Sequence, residues 1–125
     1  MAKVLGIGGV FFKAEDTKAV GDWYARVLGF EVKDWGGVVF PHPAAGYQVW
    51  SPFKADSTYM APSTLPFMIN LMVDDLDGVL AKALGEGVEP VGRDDTDPSG
   101  RFAWIMDPAG VKVELWEPSP GPPSA

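Results

Sequence analysis

Gln48-Val49-Trp50-Ser51-Pro52 and Glu114-Leu115-Trp116-Glu117-Pro118 close two strand-like runs in the same way, each after a turn containing proline and glycine, 66 residues apart. A second alignment, Gly9 against Met68, also sets Asp16 against Asp75, an offset of 59 in both cases. Loops absorb the difference, chiefly the acidic stretch 92–100. The chain therefore reads as one module used twice. A unit of this size cannot bury its apolar face alone, so it must pack against its copy, and a site is expected in the groove between the two.

Outward from these ends, each module spells strand, helix, strand, strand, strand, an α+β pattern. In module one, about 4–54, residues 4–13 read as a strand. Glu15 and Asp16 offer a cap to a helix reaching about Leu28. Val20, Trp23, Tyr24, Val27 and Leu28 fall on one helical face, and Gly29 stops the helix. Strands follow near 30–33, 38–40 and 47–51, with turns at Gly36-Gly37 and 41–46. The Ser-, Thr- and Pro-containing stretch 55–65 reads as the crossover. Module two, about 66–118, repeats the order: a strand at 67–73, then Asp74 or Asp75 capping a helix with Leu76, Val79, Leu80 and Leu84 on one face. Gly85 and Gly87 end that helix, and strands at 102–106 and 111–116 complete the copy. Residues 119–125 are expected to form a loose tail.

The whole, 1–125, fits one domain with a real core. Apolar residues make up 46% and charged residues 22%, an ordinary globular balance. No apolar run approaches a bilayer span, and the opening residues lack a basic start followed by an apolar stretch. The expectation is a cytoplasmic protein that does not engage a membrane. With no cysteine, disulfides, thiolate nucleophiles and Cys-ligated zinc are excluded. Any metal would need carboxylates, water or the single His42. A net charge of −7 disfavours nucleic acid and suits a neutral or cationic small molecule.

Three stretches now carry a family resemblance: Glu15-Asp16 with Trp23-Tyr24 and Val27-Leu28-Gly29-Phe30; Val73-Asp74-Asp75-Leu76; and Asp107-Pro108-Ala109-Gly110-Val111-Lys112-Val113-Glu114-Leu115, the most specific of them. They resemble the vicinal oxygen chelate superfamily, which includes glyoxalase I, extradiol dioxygenases, and fosfomycin and bleomycin resistance proteins. The resemblance spans about 4–118. It implies two tandem βαβββ modules forming an incomplete barrel, and a homodimer whose cleft is shared between subunits. Metal-using members place one ligand on each of four strands, and by motif register those positions here are Gly9, Gln48, Met68 and Glu114. Only Glu114 is a strong ligand, since Gly9 supplies no side chain, Met68 a soft thioether and Gln48 a neutral amide. A metal-free member is expected. The alternative is a nonstandard site for nickel, zinc, manganese or iron.

Strand alternation sorts the side chains without help from the family. In the last strand Val111, Val113 and Leu115 point one way, while Lys112, Glu114 and Trp116 point the other. Extended to the remaining inner strands, the second face collects Gly9, Phe11 and Lys13, Gln48 and Trp50, Met68, Asn70 and Met72, and Phe102, Trp104 and Met106, beside Glu114 and Trp116. That face is aromatic with a few polar points, as a small-molecule pocket requires. Glu114 is the candidate catalytic group, a general acid or base among tryptophans. The plainer alternative is a carboxylate paired with Lys13, Lys112 or a ligand cation, with the tryptophans as core.

Two functions follow. One is a metal-free protein that sequesters an aromatic or cationic molecule, resembling the bleomycin resistance branch. The other is a lyase, isomerase or dioxygenase with a nonstandard metal site, or with Glu114 as proton shuttle beside Lys13 and Asn70. Gly6-Ile7-Gly8 lacks the third glycine and the helix of a dinucleotide fingerprint. Asp95-Thr96-Asp97 is interrupted by Pro98 as a calcium loop. His42, between two prolines, reads as a surface residue.

Overall fold

The computed structural model describes residues 2–44 and 46–120. Two helices and four strands follow one another as α1 (Thr17–Leu28), β1 (Ile69–Met72), α2 (Leu76–Gly85), β2 (Gly92–Asp94), β3 (Gly100–Met106) and β4 (Lys112–Pro118). The strands form one mixed sheet ordered β1-β4-β3-β2, with β1 parallel to β4 and the other pairs antiparallel. The fold is α+β.

Both helices start and stop where their end chemistry dictates. Asp16 accepts from the Ala19 backbone N–H at 2.9 Å and caps α1. Gly29, at φ 73°, closes it in the left-handed conformation that glycine adopts without strain. Asp75 caps α2 by accepting from the Gly78 N–H at 3.1 Å. Val20, Trp23, Tyr24 and Val27 form the buried face of α1. The buried face of α2 is Leu76, Leu80 and Ala83. Leu84 is 56% exposed rather than packed, because the inward stripe passes through Ala83.

Those helical faces meet Ala103 and Ile105 of β3 and Val113 and Leu115 of β4, all without solvent exposure. This single core lies on one side of the sheet. The other side is left for the residues that alternate with it.

The repeat is visible in only one of its two copies. Module two forms the expected strand, helix and three strands, with Gly92–Asp94 forming β2 within what reads as an acidic loop. In module one only the helix forms among the described residues. Residues 4–13, 30–33, 38–40 and 47–51, expected as strands, form no ladder among the described residues. The turn at Gly36-Gly37 does close, with the Lys33 N–H donating to the Gly37 carbonyl at 2.8 Å and the Gly36 N–H to Lys33 at 2.9 Å. The flanking segments do not continue it as a hairpin. Strands exist only through backbone partners, and sequence pattern cannot supply those. Of the expected tail, residues 121–125 lie outside the described residues.

Candidate functional site

The aromatic face is fixed by register. Trp104 stands opposite Glu114 and Phe102 opposite Trp116 on the antiparallel pair, while Asn70 stands beside Glu114 and Met72 beside Trp116 on the parallel pair. Alternation therefore brings Asn70, Phe102, Trp104, Glu114 and Trp116 to one face, opposite the core.

Glu114 sits at its centre, 8% exposed, and both carboxylate oxygens are engaged. Asn70 Nδ2 donates to Oε1 at 2.7 Å. The Tyr59 hydroxyl at 2.5 Å and Trp104 Nε1 at 2.7 Å donate to Oε2. Three donors on one carboxylate stabilise a buried negative charge that would otherwise be costly. Glu114 is thus paired with neutral donors, not with Lys13 or Lys112. Lys112 is itself buried, and its Nζ donates to the Tyr59 carbonyl at 2.6 Å. That ammonium stands 5.1 Å from the centre of the Tyr59 ring and 5.3 Å from that of Trp104, within cation–π range. Loss of water around the amine lowers its proton affinity from the usual lysine value.

Around the carboxylate runs a continuous row of six rings. Phe102 lies near-parallel to Trp116 at 6.1 Å and 7°, and to Trp104 at 6.3 Å and 12°. Tyr47 meets Trp116 edge-on at 4.9 Å, and Tyr59 meets Trp104 edge-on at 6.0 Å. Phe53 extends the row beyond Tyr59 at 5.4 Å. Trp116 Nε1 is satisfied by the Ser99 carbonyl at 2.9 Å, so its ring is fixed in place.

The remaining candidates lie elsewhere. Met68 is half-buried one residue before β1. Phe11 is 92% and Trp50 80% exposed, and Lys13 is also exposed. Gln48 turns its Oε1 to the Ile7 backbone N–H at 2.6 Å. With Val4, Gly6, Ile7 and Trp50 it lines a shallow open depression. Among the described residues no hydrogen bond, ion pair or ring contact joins Phe11, Lys13, Gln48 or Trp50 to Glu114. His42 is exposed, as expected. Lys112, on the Glu114 face by alternation, and Tyr59 complete the site; no motif indicates Tyr59, which comes from the crossover, where a lone aromatic is the only signal.

A model of the glyoxalase-like domain matches residues 9–116. The chain belongs to that family. Among the described residues of this glyoxalase-like chain, no three His, Cys, Asp or Glu side chains are placed to hold a metal ion. The four positions from which metal-using members ligate do not fit a divalent ion here. Gly9 has no donor, the Gln48 oxygen is occupied by Ile7, and Glu114 is surrounded by hydrogen-bond donors rather than by other ligands.

No protein of curated function matches the glyoxalase-like chain. Solved structures do. TnmS3, an antibiotic binding protein from Streptomyces sp. CB03234, is 26% identical with a TM-score of 0.54, over 85% of this chain and 89% of that one. A glyoxalase/bleomycin resistance protein from the same Streptomyces is 25% identical with a TM-score of 0.53, over 83% and 93%. Lactoylglutathione lyase from Agrobacterium tumefaciens, 23% identical with a TM-score of 0.51 over 83% and 87%, shares the fold.

Proposed function

We propose that this protein binds a small aromatic or cationic molecule against the row of rings on its sheet, without a metal. The observation that carries the reading is the row itself, Tyr47 to Trp116, Phe102, Trp104 and Tyr59, around one buried carboxylate. Ring faces and edges supply apolar area and cation–π attraction worth about 0.5 to 2 kcal/mol per good contact. Glu114 supplies the negative charge. The likeness to TnmS3, described as an antibiotic binding protein, supports sequestration over turnover.

A catalytic role for Glu114 has less support. A general base must reach the proton it abstracts, and both oxygens of Glu114 already accept from side chains. The finer architecture belongs to the same proposal: two tandem βαβββ modules, 4–54 and 66–118, closing into an incomplete barrel in a cytoplasmic homodimer. Phe11, Lys13, Gln48, Trp50 and Met68 then join the groove when module one meets its partner strands. Support comes from the exposure of Val4, Leu5, Phe11, Val39, Phe40, Val49 and Trp50, large apolar side chains that a partner surface would cover.

The test is a titration with proflavine, a planar cation, followed by tryptophan fluorescence and calorimetry. Saturation at one site per chain is expected, with affinity falling about 3- to 30-fold in Trp116→Ala. Linear, unsaturable quenching would remove the proposal.

A further inference from the structure

The Glu114 site already holds a ligand-like group, and it belongs to the chain's own crossover. Tyr59 presents a phenol whose every part is recognised: the hydroxyl donates to Glu114 at 2.5 Å, the Lys112 ammonium faces the ring at 5.1 Å, and Trp104 and Phe53 bound it at 6.0 and 5.4 Å. Yet the group is only loosely tethered. Tyr59 remains 41% exposed, and residues 55–59 are exposed throughout. The crossover joins no strand. Its backbone bonds are local turns, Ser57 to Lys54, Ala61 to Thr58 and Ser63 to Met60. Its hold on the rest of the fold is Lys112 on the Tyr59 carbonyl at 2.6 Å, Ser63 Oγ on the Gly110 carbonyl at 2.6 Å in the turn before β4, and, beyond Tyr59, Leu65 against the core.

We infer that Tyr59 is a displaceable internal occupant of a phenol subsite, and that the crossover swings away to admit a neutral hydroxyaryl group, whose hydroxyl takes over the bond to Glu114. This rests on the small-molecule reading above and names its ligand class. A carboxylate acceptor selects a hydroxyl donor over a bare ring, and it repels a phenolate. Burial, with the bond to Glu114, raises the proton affinity of the Tyr59 hydroxyl well above that of an ordinary tyrosine, consistent with a site built for the protonated form. An internal occupant weakens apparent affinity by the fraction of chains in which the site is open. Wild-type protein is therefore a weaker phenol binder than one lacking the occupant.

The experiment titrates 4-methylphenol and toluene into the full-length wild-type chain and Tyr59→Gly, read by calorimetry and by the Trp104 indole N–H resonance. Tyr59→Gly is expected to bind 4-methylphenol saturably, at least tenfold tighter than wild type does and at least tenfold tighter than it binds toluene. Adding Glu114→Gln, which exchanges a charged acceptor for a neutral one, should shrink the preference over toluene. Equal affinity for 4-methylphenol and toluene overturns the phenol subsite and leaves the aromatic groove standing. Binding of neither compound overturns both. Should Tyr59→Gly not fold, the wild-type titration decides: a saturable shift of the Trp104 indole resonance, at higher concentration, supports displacement, and its absence overturns it.

Discussion

Tyr24 of α1 donates its hydroxyl hydrogen to Asp107 at 2.6 Å, a buried bond between residues 83 positions apart. The same carboxylate accepts from the Ala109 and Val111 backbone N–H groups, both at 2.8 Å, and so shapes the turn into β4. One side chain thereby ties the helix of module one to the strand that carries Glu114.

Removing the hydroxyl should loosen that tie. Tyr24→Phe keeps the ring and its contacts with Trp23 and Phe30 at 5.0 Å each. It should cost about 1.5 to 3 kcal/mol, the range for a hydrogen bond to a charged partner. Urea denaturation of the two proteins gives the value directly, and a difference below a few tenths would show that the bond contributes nothing net.

Alkali should act on the same residue. Burial first, then the bond to Asp107 and its charge, push the Tyr24 hydroxyl well above its ordinary value of 10.0. The unfolded chain releases that proton near pH 10 while the folded chain keeps it, so folding binds the proton. The contribution is intact below about pH 10 and declines as pH rises above it. The urea midpoint of wild type should drop more between pH 8 and pH 11 than that of Tyr24→Phe. Parallel declines would assign the alkaline loss to other groups.

Metal content offers an independent check on the donor set. After exposure to nickel, cobalt, zinc, manganese and iron(II), followed by desalting, elemental analysis is expected to find no stoichiometric ion. One ion retained per chain, and lost in Glu114→Gln, would mean that Tyr59 and Asn70 yield their places to ligands that the donor set does not suggest.

Assembly can be tested at the exposed apolar surface. If module one closes against a second copy, Phe11→Asp with Trp50→Asp should convert a dimer to a monomer in sedimentation experiments, since each places a charge where an apolar contact is expected. A wild-type chain that sediments as a monomer across the micromolar range would refute the homodimer.

Local rules made much of this molecule readable in advance. The caps Asp16 and Asp75 and the stop at Gly29 depend on a few neighbouring residues, and the period of two in β3 and β4 sorted Trp104, Glu114 and Trp116 onto one face. What stayed hidden depends on distant partners. The bond of Tyr24 to Asp107 spans 83 positions and that of Tyr59 to Glu114 spans 55. The unformed ladders of module one belong to the same class, because residues such as 4–13 and 47–51 have strand-like patterns whatever lies alongside them. Leu84 yielded its buried place to Ala83 because helical phase over ten residues is too coarse to separate adjacent positions.

The interleaving of β3 and β4 has a bearing on how such a protein changes over generations. Ala103, Ile105, Val113 and Leu115 hold the helices, and Phe102, Trp104, Glu114 and Trp116, their immediate neighbours in the chain, face the other way. The core and the proposed ligand face are written in alternate letters of the same two strands. Substitutions at the outward letters can therefore reshape that face while the inward ones keep the fold.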